Sequence, residues 1–443
     1  MTTAEQAATS NDNPTFPDVL RTFFKIGCLG FGGPAGQIAL MHRILVDEKK
    51  WIDEPRFLHA LNVCMLLPGP EAQQLATYSG WTLHGARGGL AAGILFVLPG
   101  ALVMLGLSLV YAFGQGVPLI DGALFGIKAA VLVIVVEALI RIGRRALKTS
   151  VLIAIAAAAF IGIFFLAVPF PLIVIGAGAI GYGVARSAPA MLALGANITD
   201  APPVPGRWKQ AAYAIVIGLV AWWAPVVLAL VTLGKSHVLV EIGTFFSKLA
   251  TVSFGGAYAL LAYMAQEAVD RQGWMTAAEM VDGLGLAETT PGPLILVTQF
   301  VGFLAGYRDA APFSPVTAGV VAAAMTTWVT FSASMLWIFA GAPFVEQIRS
   351  NRMLSGALAA ITAAVVGVIL NLTVWFALHV LFVHVTEQRA GFLRWYAFDP
   401  LALDLKTAAL AVIAALLAFR FKRGLVEIVV IMAALGIAAR MVF

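Results

Sequence analysis

Long apolar runs separated by short polar breaks dominate this chain. A helix needs about 20 apolar residues to cross the hydrocarbon of a bilayer. Stretches that qualify begin near Val19, Phe57, Gly88, Gly122, Val151 and Pro171. After the Pro-rich break APPVPGRWK they resume near Ala211, Val238, Met280, Val316, Met353, Leu401 and Leu425, about thirteen in all. The pattern predicts an all-α polytopic membrane protein with about 13 transmembrane helices. The first and eighth stretches are amphipathic. The second and ninth are interrupted by proline, so re-entrant segments remain an option beside spanning ones. The first 18 residues are polar, lack Lys and Arg, and read as a disordered tail rather than a secretory signal. Residues 19–190 then form a first transmembrane repeat, 191–210 a cytoplasmic linker, and 211–443 a second repeat with one or more extra helices.

Basic residues in short loops orient such a chain. With a cytoplasmic N-terminus, Arg87, the cluster Arg141, Arg144, Arg145 and Lys148, then Arg186, Arg207 and Lys209, and finally Arg420, Lys422 and Arg423 fall inside. Lys49, Lys50, Arg56, Lys235, Arg308 and Arg389 fall outside, and the VPFP turn at Pro169 carries no charge.

The chain also repeats itself. Displaced by 223 residues, FFKIGCLGFGG at 23–33 falls on FSKLATVSFGG at 246–256, and 14 of the 48 positions from Phe23 to Pro70 are identical without a gap. The matches include Lys25 with Lys248, Asp47 with Asp270, Trp51 with Trp274, and Pro68-Gly69-Pro70 with Pro291-Gly292-Pro293. Seven apolar stretches separate the start of one copy from the next. An odd number places the copies in opposite orientations, an arrangement common among alternating-access transporters.

Proline lacks the amide hydrogen and blocks the carbonyl four residues back. Each Pro-Gly-Pro therefore splits its helix, and new half-helices should begin at Pro70 and Pro293. Their free amides and about half a positive charge each would suit an anion near the midplane. Simple proline kinks are the plain alternative. The neighbours are polar: Glu71, Gln73 and Gln74 follow the first break, while Glu288, Thr289 and Thr290 precede the second. The amides and hydroxyls of Gln73, Gln74, Thr289 and Thr290 can contact oxyanion oxygens. An ionisable group at membrane depth is a functional candidate, so Glu71 and Glu288 are the proton-coupling candidates. Glu137, within a span just before the Arg cluster, is a weaker one. The Phe-Gly-Gly pairs, with Gly32, Gly33, Gly255 and Gly256, let the chain leave helical geometry or admit a close backbone. A dianion would need a further cation, for which Lys25, Lys248, Arg43 and Lys128 are nearest. Snorkelling to the headgroups is the alternative role for these lysines.

Composition agrees with lipid. Of 443 residues, 60% are hydrophobic and 12% charged, against roughly 25% charged in soluble domains. Mean hydropathy is +0.91. The net charge of +5 is scattered and gives no nucleic-acid surface, and two cysteines give no disulfide framework. The six histidines form no paired metal motif, and there is no phosphate-binding GxxxxGK[ST] loop, so no cofactor, metal or enzymatic chemistry is expected.

The segments FGGPAGQIALMH (31–42), RFLHALNVCMLLPGPEAQQLATY (56–78), GWTLHGARGGLAAGILFVLPG (80–100), FGGAYALLAYMAQE (254–267) and GLAETTPGPLILVTQFVGF (285–303) resemble the chromate ion transporter superfamily. The likeness implies a multi-pass protein of the bacterial inner membrane with two homologous, oppositely oriented halves. It implies export of chromate, driven by the proton gradient or membrane potential, with sulfate as competitor. The family's FGGP and PGPE motifs fall on Phe31–Pro34 and Pro68–Glu71. In the second half position 294 is Leu, and Glu288 stands before the tripeptide instead. The expected partners are chromate, sulfate and the lipid bilayer. The oligomeric state stays open, with a homodimer as one option, and an anion channel is the rival reading.

Overall fold

The structure is a computed structural model that describes residues 14–114, 116–192, 207–254, 257–344 and 351–442. Among the described residues, the regular structure is helical apart from one two-stranded hairpin.

The first four helices are α1 (Phe16–Leu29), α2 (Gly33–His42, continued by a π-helical turn Arg43–Glu48), α3 (Glu54–Cys64) and α4 (Glu71–Phe113). Thr15 caps α1 and Asp53 caps α3, each accepting a backbone N–H three residues on. Helix α1 therefore starts inside the segment expected to be tail. The 43 residues of α4 are not one rod: His84 and Gly85 leave helical geometry. Beyond that corner the chain folds back on itself. A Cβ added at Gly80 would strike the Gly88 carbonyl and Ala92, and one at Gly93 would strike Thr77. Residues 71–83 therefore lie antiparallel to the long limb 86–113.

Helix α3 is antiparallel to the same short limb, since His59 packs edge-on against Tyr78 with ring centroids 6.4 Å apart. Helices α3 and α4 thus form a helical hairpin with Pro68-Gly69-Pro70 at its tip. Helices α1 and α2 form a second hairpin with Phe31-Gly32 at its tip. The Pro14 carbonyl at the foot of α1 accepts from His84 Nε2 at 2.6 Å. His42 at the foot of α2 lies 2.5 Å from Glu54 at the foot of α3. Both hairpins open on one side.

Helices α5 (Pro118–Ala146), α6 (Ser150–Phe164) and α7 (Phe170–Ser187) complete the first half, and α8 (Arg207–Leu233) leads to the second. The second half repeats the first: α9 (Val238–Thr251), α10 (Ala257–Ala265, with a π-helical turn Gln266–Arg271), α11 (Ala277–Thr289), α12 (Val297–Arg308) and α13 (Pro315–Gly341). The two π turns fall at equivalent positions. Thr276 and Glu279 form a reciprocal capping box on α11. Arg308 at the end of α12 pairs with Glu279 near the start of α11, which closes this hairpin at its foot. Helix α14 (Arg352–Leu381) precedes β1 (Val385–Ala390) and β2 (Leu393–Phe398), and α15 (Leu405–Ala415) and α16 (Leu425–Val442) end the chain.

The halves interlock. Helix α16 lies along α5, and α14 lies along α6 and α7. Among the described residues, six helices are long and apolar enough to cross a membrane. The remaining apolar stretches are shorter rods, several of them hairpin limbs. These six stand beside the about thirteen apolar stretches of the sequence pattern. The periphery is apolar, with Leu102, Ile175, Ile217, Val220 and Val231 exposed. A polytopic, predominantly α-helical membrane protein accounts for that surface. The antiparallel β hairpin is an addition to the all-α expectation. Arg394 on β2 holds it down by donating to the carbonyls of Ile163 and Phe164 at the end of α6.

Candidate functional site

The hairpin tips meet in pairs, one from each half. The amide of Gly69 donates to the Ser253 carbonyl at 2.8 Å, and the amide of Gly292 donates to the Gly30 carbonyl at 2.9 Å. Ser253 is the repeat equivalent of Gly30, so the two bonds are reciprocal. The Pro-Gly-Pro tip of each half is pinned to the residue just before the phenylalanine of Phe-Gly-Gly in the other. Gln37 reinforces one crossing: its Nε2 donates to Gly30 at 3.1 Å and Gly292 at 2.5 Å.

Both Pro-Gly-Pro glycines have positive φ, 136° at Gly69 and 87° at Gly292. A side chain is strained there, and a Cβ on Gly69 would also strike Gln74 and Ser334. Helix α3 ends at Cys64, before the first tripeptide, and α11 ends at Thr289, before the second. Helix α4 starts at Glu71 after Pro70. After Pro293 the chain makes a short 3-10 turn, Leu294–Leu296, before α12. Pro70 and Pro293 provide no side-chain cap. The amides at the start of α4 therefore lack a capping side chain.

The expected ligand contacts divide into groups. Gly69 and Gly292 lie at the tips, but their own amides are already engaged. Gln74 donates to the Pro68 carbonyl at 2.7 Å. Gln73 donates to Thr77 at 3.1 Å and accepts from Ser334 at 2.7 Å. Thr289 and Thr290 both donate to the Leu286 carbonyl at 2.7 Å. These side chains are buried or nearly so at the tips, yet in this conformation they face protein partners. The Gln74 Oε1 and Gln37 Oε1 atoms are buried without a hydrogen-bond partner. Pro68, Pro70, Pro291 and Pro293 frame the tips. Gly32 and Gly33 stand where α2 begins, both with positive φ. Gly255 and Gly256 lie outside the described residues. Lys25 and Lys248 do not join the site: both are exposed, on α1 and α9, and Lys248 lies 6.0 Å from the Tyr263 ring centroid.

The two carboxylates are at the tips. Glu71 begins the short limb of α4. Glu288, one turn before the second tip, accepts from the Tyr258 hydroxyl at 2.9 Å. Both feel the basic end of α5. Glu71 lies within the electrostatic reach of Arg145, and Glu288 within that of Arg141 and Glu137. Glu137, Arg141 and Arg145 recur every four residues and so share one face of α5. That spacing was the available signal. Gln37, inside the FGGPAGQ segment, and Ser334, in an otherwise apolar helix, gave none by themselves.

Comparison with known proteins agrees with this architecture. The chromate transporter family matches two segments, residues 17–182 and 240–439, so each half carries its own copy. A chromate transport protein of Pseudomonas aeruginosa is 31% identical over 442 residues, covering 97% of this chain and 93% of its own length. A chromate transport protein of Cupriavidus metallidurans is 26% identical, covering 95% of this chain and 92% of its own length. No solved structure matches. With both halves and their crossed tips accounted for, the chain belongs to the chromate transporter family, and is a membrane transporter rather than an enzyme.

Proposed function

We propose that the chain exports chromate from the cytoplasm across the bacterial inner membrane as a secondary active transporter, driven by the proton gradient or membrane potential. The relatives named above support the substrate. A tetrahedral dianion, with sulfate as competitor, would bind at the crossed tips. The observation that carries this reading is the reciprocal pair of bonds, Gly69 to Ser253 and Gly292 to Gly30. Such an exchange between equivalent segments is what a twofold arrangement of repeats produces. Broken helices at membrane depth need partners for their freed backbone groups, and a site between inverted repeats provides them. Capture of the anion would exchange the intramolecular bonds of Gln73, Gln74, Thr289 and Thr290 for bonds to its oxygens. Glu71 is the proposed proton carrier beside it, with Glu288 as the second.

In this reading the first pair of hairpins enters from the cytoplasm and the second pair from outside. Each half then crosses four times, through the long limb of α4 with α5, α6 and α7, and through α13 to α16. Lys49, Lys50 and Arg56 then join Arg87 on the cytoplasmic side, at the foot of the first hairpins. That strengthens the inside excess of basic residues over the thirteen-span count. Rocking of one half against the other exposes the site to each side in turn.

Everted membrane vesicles test the proposal. Chromate accumulation that depends on an imposed gradient and is inhibited by sulfate is the expected result. Purely downhill flux would make the chain a channel, and chromate uptake into cells in place of export would reverse the direction.

A further inference from the structure

A second polar cluster lies away from the tips. Helix α11 carries Asp282 two turns before Thr289, on the same face. Its carboxylate is 6% exposed, and the Lys128 ammonium on α5 lies 3.1 Å from Oδ1. The Tyr111 hydroxyl on α4 donates to Oδ2 at 2.9 Å. These groups border a cavity of about 300 Å³ that also takes in Asp121 and Arg440, themselves paired at 3.3 Å. On the orientation proposed above, the cavity opens outward.

We propose that Asp282 is the outer proton-loading site of the transporter, with the cavity as its water access and Lys128 as its releasable counter-ion. A buried carboxylate held by an ammonium is stable as a pair, and neutralising one member leaves the other without compensation. A proton from cavity water adds to a carboxylate oxygen of Asp282. Lys128 stays an ammonium and turns towards the cavity. Helix α11, whose far end is the second Pro-Gly-Pro tip, is then released from α5. A metal cation suits the site poorly, because the ammonium already fills the oxygen-rich side and repels it. A proton needs only one lone pair.

The other charged groups facing the site have partners of their own. Glu279 on the same helix is held by Arg308 of α12, and Asp121 of α5 by Arg440 of α16. Helix α14, also packed on α11, offers only Arg352 and His379, at its two ends. Asp282 is therefore the carboxylate whose release would free a helix leading to the tips. The proposal rests on the transporter reading, but not on where the anion binds.

The test uses the full chain in proteoliposomes with chromate as probe and voltage clamped. One coupled proton makes each pH unit across the membrane worth about a tenfold shift in the chromate ratio. The wild type should show that shift. Asp282→Asn should move chromate downhill with no response to the pH gradient. An unchanged response in this variant overturns the proposal. Should Asp282→Asn fail to assemble, the doubly neutral D282N/K128Q keeps a matched pair. Gradient-blind flux in it supports proton loading, whereas restored gradient response shows the pair to be structural and overturns it. Loss of all flux in both variants, with wild-type assembly by size exclusion, also assigns Asp282 to the framework and overturns it. A wild type that responds to voltage alone overturns the proton site and leaves the transporter reading standing. A wild type without chromate flux under any gradient fails both.

Discussion

The two Pro-Gly-Pro hairpins share a backbone and differ in charge. Both reverse direction at a glycine with positive φ, and both pin that glycine to the opposite half. Yet the first places Glu71 just after its tip, while the second places Glu288 before it and braces it with Tyr258. At their feet the contrast is sharper. Arg308 ties the two limbs of the second hairpin together through Glu279 and through the Trp274 carbonyl at 2.8 Å. In the first hairpin the equivalents of Glu279 and Arg308 are Arg56 and Gly85. Arg56 instead faces Asp53 at 3.4 Å on an exposed surface. Equivalent position 59 is His where position 282 is Asp. Duplication kept the turn and let the titratable groups diverge, so the halves are expected to share binding geometry but divide the proton chemistry.

Glycine replacement at the tips tests the shared part and carries the largest effect. Gly69→Leu and Gly292→Leu should each lower chromate transport by about 100-fold, since both force a side chain into a tight, positive-φ crossing. Vesicle uptake checks this. A large loss in one variant alone would break the equivalence of the tips.

The carboxylates test the divergent part. Glu71→Gln should reduce gradient-driven transport by about tenfold. Glu288→Gln should reduce it less, because an amide oxygen still accepts from Tyr258. Equal losses would argue for a symmetric role.

The feet should differ in stability. Arg308→Ala should destabilise the protein by about 1.5–3 kcal/mol, the usual value of charged hydrogen bonds. Arg56→Ala should cost less than about 1 kcal/mol, as expected of an exposed pair. Thermal unfolding in detergent measures both, and similar shifts would erase the contrast.

A further test concerns Asp270, the repeat equivalent of Asp47. Asp270 sits at the foot of the α9–α10 hairpin against the β hairpin. Burial, with Glu387 adding repulsion, raises its carboxyl from the ordinary 3.8 to about 6, despite nearby Arg394. Its folded value lies above its unfolded one. It therefore favours the folded state below about pH 4, and that contribution fades as pH rises through about 6. Asp270→Asn should flatten the stability profile across that interval. An unchanged profile would remove Asp270 as its source.

What the sequence shows and what it hides follow from the range of the interactions. A proline breaks a helix locally, so Pro68 to Pro70 and Pro291 to Pro293 mark interruptions that are visible residue by residue. Whether the chain then continues across or turns back depends on distant partners. Arg308 meeting Glu279, and Gly80 lying against Gly88, decide that it turns back. The corner at His84-Gly85 has no proline to announce it. Lys25 and Lys248 align at the repeat offset yet face outward, because alignment conveys equivalence and not direction. The strand pair at 385–398 is short, polar in β1 and largely apolar in β2, and it owes its position to Arg394 reaching α6.

Helix α8 makes little use of packing: its most apolar window is only 17% buried, and its main neighbours are α13 and α9. Its value is then in routing. Two sibling units that each return to their starting side would emerge as parallel twins. On the proposed topology one added passage between them reverses the later sibling, so removing α8 should thread that sibling the wrong way round, however well its own helices fold.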